Sequence, residues 1–300
     1  MPEVYEALIP VFLMIFLGFI LKFAKILNNG SAHLLLQLVF YISLPALILA
    51  NIPNTLLEAD YIYLPVIPVI TGLILLFLSR KVGKSLKLER KTYGVFVISS
   101  LIMNSAFAFP FIMAFYGKEG LSRMLIFDVG NAAFIYSFAY YMACRYGKHQ
   151  VDRKLILRRL LLSIPLWSIV IAIILNLLNI RTTGVFHGFL KMAGDLTIPL
   201  LLISVGAFFE PRLLKVKALG ASILIRMGLG ILIGWALTKI TGLEGITAKV
   251  VILASATPVG YNTLIFSSLE KLDTEFAASL VSVSILIALF YIPAIFFLFL

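Results

Sequence analysis

Apolar residues run along this chain in long blocks, each closed by a short polar or turn-rich break. The blocks lack the polar/apolar alternation of a membrane barrel strand. A bilayer core about 30 Å thick needs roughly 20 helical residues to cross it. Blocks of that length predict ten helices, near residues 4–24, 33–52, 61–79, 92–116, 122–143, 161–180, 190–209, 218–238, 247–269 and 276–298. The expected class is therefore an all-α integral membrane protein with ten transmembrane helices. Every intervening loop is short, which leaves no room for a soluble catalytic or nucleic-acid-binding domain. The first block follows "MPEVYEA", which is acidic where a secretory leader is basic and is followed by no small-residue cleavage site. It is expected to stay as the first helix.

The block pattern repeats. A basic connector, "CRYGKHQVDRKLILRR", divides the chain near its middle. Pro45 in "FYISLPALILA" and Pro199 in "GDLTIPLLLIS" lie 154 residues apart, in predicted helices 2 and 7. The same shift lays "VISSLIMNSAFAFPF" on "VILASATPVGYNTLI" without a gap, so that Asn104 meets Pro258 and Ala108 meets Asn262. Pro10 in helix 1 and Pro165 in helix 6 correspond one residue off that register. The expected organisation is a first five-helix repeat over 1–146, a cytoplasmic connector over 147–160 and a second five-helix repeat over 161–300. Five is odd, so the second repeat must sit inverted. Inverted repeats point to secondary transporters.

Within "SATPVGYNTLIF", residues 255–266, a proline, a glycine and an asparagine interrupt an otherwise apolar span. Proline removes a helix donor and clashes with the preceding turn. Irregular backbone at membrane depth survives only when buried in protein or facing a watery cavity. Predicted helices 4 and 9 are the matched interrupted pair, and such pairs point to a transport site. Crossed near the midplane, they bring half-helix ends together. Helix N-termini carry partial positive charge and free N–H groups, which favours an anion such as a carboxylate. The candidate substrate-binding residues are Asn104, Pro110, Pro258, Tyr261, Asn262 and Thr263. Each asparagine either satisfies backbone freed by the break or meets the substrate.

The sequence is 61% hydrophobic and only 13% charged, with mean hydropathy +1.06. A soluble domain carries roughly a quarter charged residues. The net charge of +11 reads as topology rather than nucleic-acid affinity. Eighteen of the 25 Lys and Arg residues fall on one side of the predicted helices, twelve of them in "RKVGKSLKLERK" and between Arg145 and Arg159. Six fall on the other side, and Arg226 lies inside a helix. Positive charge marks the cytoplasmic side, so both termini are expected outside. The lone Cys144 cannot form an internal disulfide, and His33, His149 and His187 are dispersed near predicted helix ends. No metal cluster, nucleophile–base pair or cofactor motif is visible, so the chain is not expected to be an enzyme.

Four further polar residues in predicted spans bear on the reading. Arg226 in "ASILIRMGLG" is expected to face the protein interior near an acid or a substrate anion, or to snorkel to the cytoplasmic face. Asp128 and Asn131 are about one turn apart on predicted helix 5. They either bind a coupling Na+ or H+, or Asp128 pairs with Arg226. Asp195 reads as a helix-end residue.

"ATPVGYNTLIFSSLEKLDTEFAASLVSVSILIAL" resembles the end of the auxin efflux carrier family, with its proline, three residues, then Asn-Thr before the last helix. "TIPLLLISVGAFFEP" and "IPVFLMIFLGFILKFAKILNNGSAHLLLQLVFYISLPALIL" resemble its seventh and its first two helices. The departure is in "NSAFAFPF", where the family tends to have a glycine before the proline. The resemblance implies a fold like that of bile acid symporters and sodium/proton antiporters. Helices 1, 2, 6 and 7 form its scaffold, and a moving core holds crossed helices 4 and 9. It also implies an organic-anion carrier of the auxin or malate kind in a cell membrane, and the short connector suggests a prokaryotic one. A sodium-coupled symporter or a cation/proton antiporter on the same fold is the alternative. The expected partners are a small organic anion and the lipid bilayer, with a homodimer possible in principle and no nucleic acid.

Overall fold

The structure is a computed structural model and describes residues 2–56, 58–147, 158, 161–208 and 213–299. Most of the predicted connector, including His149, therefore lies outside the described residues. Among the described residues the chain is helical, and the one β contact is an isolated bridge. Five segments are long and apolar enough to cross a membrane: 30–54, 60–85, 184–207, 216–241 and 274–297. Shorter apolar helices cover 8–23, 164–177 and 245–255. The surface inverts the usual soluble pattern. Ile9, Leu13, Phe16, Ile20 and Phe23 project outward along one helix, whereas Arg226, Thr71, Ser99 and Ser222 are buried. Such a distribution suits a lipid solvent.

The chain divides into two compact units. The first contains residues 1–61, 109–126 and 163–209. Its helices are α1 (Pro2–Phe23), α2 (Asn29–Leu38) and α3 (Leu44–Asn51), with α8 (Ile164–Leu177), α9 (Gly184–Gly194) and α10 (Thr197–Ala207) from later in the chain. Small residues set the packing. Gly18 faces the backbone of Ile203 and Gly206 that of Ile15, too closely for any side chain, so α1 and α10 touch backbone to backbone. Pro45 has no N–H for the carbonyl one turn earlier, and the chain forms a π turn over Val39–Ser43 just before α3. Asn176 Nδ2 donates to the carbonyls of Ile52 and Thr55 at 2.8 and 2.6 Å, satisfying groups freed where this segment ends. Arg123 is buried and pairs with Glu58 and Glu119 at 3.1 and 2.9 Å. Asp195 sits between α9 and α10 and pairs with Lys191.

The second unit contains residues 62–108, 127–162 and 210–300. It includes α4 (Val66–Ser85), α5 (Arg90–Leu101), α7 (Tyr140–Tyr146), α11 (Val216–Ile223), α12 (Gly230–Thr241), α13 (Gly245–Ser255), α14 (Asn262–Leu269) and α15 (Thr274–Phe299). Helix α6 (Ser105–Phe134) belongs to it at both ends and bends at Gly117, whose φ of +59° only glycine adopts freely. The bend falls between predicted helices 4 and 5. Residues 94–101 of α5 are all buried, as are 250–255 of α13, so these two helices are wrapped on every side. Ser99 and Ser222 share a hydrogen bond at 2.8 Å inside this core. At the end of the unit where α5 and α15 begin, Lys215, Thr92 and Asp273 hydrogen-bond together.

Candidate functional site

Helix α5 stops at Leu101 and α6 starts at Ser105. Ile102 is extended, and Asn104 caps α6, its Oδ1 accepting from the Phe107 N–H at 3.2 Å. Helix α13 stops at Ser255 and α14 starts at Asn262. Pro258, with no N–H, lies in this gap. The two gaps pair with each other. The Asn104 N–H donates to the Pro258 carbonyl at 3.0 Å, and the Gly260 N–H donates to the Ile102 carbonyl at 2.9 Å. Met103 and Val259 form the antiparallel bridge at the centre. Thus Asn104 and Pro258, matched by the 154-residue shift, are hydrogen-bonded to one another. Gly260 is required by the close approach, because a Cβ there would lie 2.7 Å from the Ile102 side chain and 2.9 Å from the Met103 carbonyl. The Val259 N–H goes to Ser284 Oγ on α15 at 3.1 Å.

Arg226 closes the remaining account. In an unbroken helix the Ser100 carbonyl would accept from the N–H of Asn104, and the Ser255 carbonyl from that of Val259. Both donors have gone elsewhere. Arg226 replaces them: its guanidinium donates to the carbonyls of Ser100 at 3.5 Å, Thr257 at 3.3 Å and Ser255. These are the C-terminal, partially negative ends of α5 and α13, where a cation is favoured. The side chain is fully buried and lies in a π turn over Leu224–Leu229. Gly230, one turn on, leaves room for it, since a Cβ there would press on the guanidinium and on the Ser255 carbonyl. Arg226 therefore faces the interior and does not snorkel.

Asp128 and Asn131 share a face of α6, as their spacing requires. Asn131 Nδ2 donates to Asp128 Oδ1 at 2.8 Å and to Ser105 Oγ at 2.5 Å. Ser105 is the first residue of α6 after the Asn104 cap, so this cluster adjoins the break through the chain. Among the described residues no ion pair joins Asp128 to Arg226, since each spends its polar atoms on other partners.

Of the other predicted site residues, Thr263 lies fully buried in the first turn of α14, and its hydroxyl has no hydrogen-bond partner. Asn262 and Tyr261 are half-buried at the start of that helix. Asn104 is 4% exposed, and its Nδ2 has no partner although its Oδ1 is used. The Ser255 hydroxyl is also buried and unpartnered. Pro110 departs from the sequence-based picture: it is buried inside α6, six residues after the cap, and the helix runs through it. The chain breaks at Asn104 because that side chain supplies a ready cap, whereas proline forfeits only one helical bond near a helix start. Sequence reasoning missed Ser105 and Ser284, and it read Gly260 as an interruption without its close approach to Ile102 and Met103. Ser105 adjoins a predicted residue, but nothing in the local sequence marks Ser284.

Residues 3–296 match the family described as membrane transport protein. An uncharacterized transporter of Methanothermobacter thermautotrophicus is 25% identical over 296 residues, covering 96% of both chains. An uncharacterized transporter of Methanocaldococcus jannaschii is 25% identical over 284 residues, covering 91% of this chain and 92% of its own. With apolar spans, helices broken inside the buried core and a family match over nearly its whole length, the chain belongs to the membrane transport protein family, the auxin efflux carrier family that its sequence resembles.

Proposed function

We propose that this chain is a secondary active carrier for a small organic anion, a carboxylate of the auxin or malate kind, working by alternating access. The observation that carries the reading is the Asn104 amide. A buried donor left unpaired costs about 1–3 kcal/mol. Here the Asn104 Nδ2 is unpaired beside Asn104 and Gly260 N–H groups that are already paired across the two gaps. A ligand with acceptor oxygens recovers that cost. The unpartnered hydroxyls of Thr263 and Ser255 belong to the same paired breaks and offer further donors. Asn262 and Tyr261, at the N-terminus of α14, add polar atoms where the helix dipole favours an anion. Pro258 keeps the second break open, and Pro110 shapes α6.

Ten transmembrane helices in two inverted repeats, 1–146 and 161–300, complete the reading, with the connector in the cytoplasm and both termini outside. Its support is the equivalence of the two breaks under one sequence shift. The first unit holds the segments of predicted helices 1, 2, 6 and 7, which the family resemblance casts as scaffold. The second holds the paired breaks and is the body that would move in an elevator-type cycle. The Asp128–Asn131–Ser105 cluster favours coupling to Na+ or H+, and with it the alternative of a sodium-coupled symporter or cation/proton antiporter.

Counterflow in proteoliposomes tests the assignment, with malate and indole-3-acetate as labelled substrates, with and without sodium. Asn104→Ser keeps the cap oxygen and removes the amide; Asn262→Ala removes the second amide. Without ligand, Asn262→Ala is expected to melt within about 2 °C of wild type, and Asn104→Ser, which keeps the cap and sheds the unpaired donor, at or above it. They are expected to lose most carboxylate binding and counterflow. Wild-type affinity and transport in both would leave the paired breaks as architecture alone. Cation-driven exchange without any organic anion would favour the antiporter.

A further inference from the structure

The end of α4 carries a feature that anion transport does not use. Two adjoining open cavities of about 570 and 600 Å³ lie there, sharing Lys84, Tyr93, Arg145 and Tyr146 as walls. Lys87 and Arg90 line the first, and Arg80 and Lys81 the second. Among the described residues no carboxylate lines either. Three cations at other helix ends sit beside carboxylates: Arg123 with Glu58 and Glu119, Lys215 with Asp273, Lys191 with Asp195. Six cations around one groove, with no carboxylate lining it among the described residues, repel each other unless an anion enters.

The groove is also built rather than accidental. The rings of Tyr93 and Tyr146 meet edge to face at 5.2 Å. Tyr93 Oη donates to the Arg80 carbonyl at 3.3 Å, and the Arg90 guanidinium donates to the Arg145 carbonyl at 3.4 Å. These contacts hold α4, α5 and α7 together beneath the charges. Phe77 lines the same cavity and is 71% exposed. It shares a face of α4 with Lys81 and Lys84, at helical spacings of four and seven residues. Along that face an apolar wall inside the apolar span gives way to cations where the span ends at residue 85.

We propose that this groove binds the headgroup of an anionic phospholipid, with its phosphodiester among Lys81, Lys84, Lys87 and Arg145 and its acyl chain along Phe77. The gradient from apolar to cationic along one helix face fits an amphiphile, which a free phosphate does not need. Clusters of basic residues at the end of a membrane helix recognise such lipids. The site does not depend on what the protein carries.

The test uses the full chain in detergent, with phosphatidylglycerol or phosphatidylcholine added and retained lipid counted by native mass spectrometry. Wild type is expected to retain phosphatidylglycerol selectively. Each juxtamembrane cation contributes roughly fivefold to apparent affinity, so Lys81→Gln/Lys84→Gln/Lys87→Gln is expected to lose about a hundredfold. A control with equal charge removed outside the groove, Lys22→Gln/Lys25→Gln/Lys217→Gln, is expected to stay within about threefold. Equal retention of the two lipids by wild type overturns the proposal. So does an equal loss in the control, which would mean general surface charge. If inorganic phosphate displaces the lipid and protects lipid-free protein equally well, the site belongs to a soluble phosphate.

Discussion

Removing the Arg226 guanidinium should destabilise the protein through backbone, not through a lost ion pair. Arg226→Met keeps a long apolar side chain but strands the carbonyls of Ser100, Ser255 and Thr257, which are buried at the ends of two helices. Each buried acceptor left unpaired costs about 1–3 kcal/mol. Against this, the wild-type protein carries the desolvation of a buried charge, which is several kcal/mol. The net loss expected is about 2–4 kcal/mol, a fall of roughly 5–12 °C in melting temperature at a few degrees per kcal/mol. Arg226→Lys should fall between, because one ammonium cannot spread its donors as the planar guanidinium does. The assay is thermal unfolding in detergent followed by tryptophan fluorescence, with Trp167 and Trp235 as reporters. Asp128→Asn supplies the contrast. An Asp128–Arg226 ion pair would make the double variant more stable than the sum of the singles. The observed partners predict additivity within about 0.5 kcal/mol. A melting point for Arg226→Met within 2 °C of wild type, or strong coupling to Asp128, would refute the reasoning.

Gly260→Ala should cost about 1–3 kcal/mol, read as a lowered melting temperature, because its Cβ meets Ile102 and the Met103 carbonyl. Ser284→Ala should cost a similar amount by orphaning the Val259 N–H, and Ser284→Thr should recover part of it. Burial opposes ionisation of Asp273, yet hydrogen bonds from Lys215, Thr92 and the Phe276 N–H outweigh it and hold the carboxyl below its usual value. Its stabilising contribution is therefore complete above about pH 4 and is lost as pH falls through the folded-state value. Asp273→Asn should flatten that acid-side decline in melting temperature, and an unchanged decline would exclude Asp273 as its source. Charge asymmetry predicts that Val185→Cys, but not Lys148→Cys, reacts with an impermeant thiol reagent in intact cells, in a Cys144→Ser background. The reverse labelling would invert the topology.

The sequence by itself determined the solvent of this protein and the places where its helices fail. Both are local properties. A block of about 20 apolar residues announces a span wherever it is read. A proline and a glycine close together, as at Pro258 and Gly260, disfavour a helix on local grounds, and an asparagine such as Asn104 offers a cap to the residues just after it. The shift relating Asn104 to Pro258 was legible because it needs only counting. What the breaks do with their freed groups was decided by tertiary structure. The Ser100 carbonyl and Arg226 are 126 residues apart, and the Val259 N–H and Ser284 Oγ are 25 apart. No spacing rule links such positions. The sequence could say that a buried arginine and a buried aspartate each needed a partner, and it left open whether that was each other or, for Asp128, a coupling cation. Packing gave the arginine to two helix ends and the aspartate to Asn131, because hydrogen-bond partners are settled by which elements meet, and that is fixed only when the whole chain is folded.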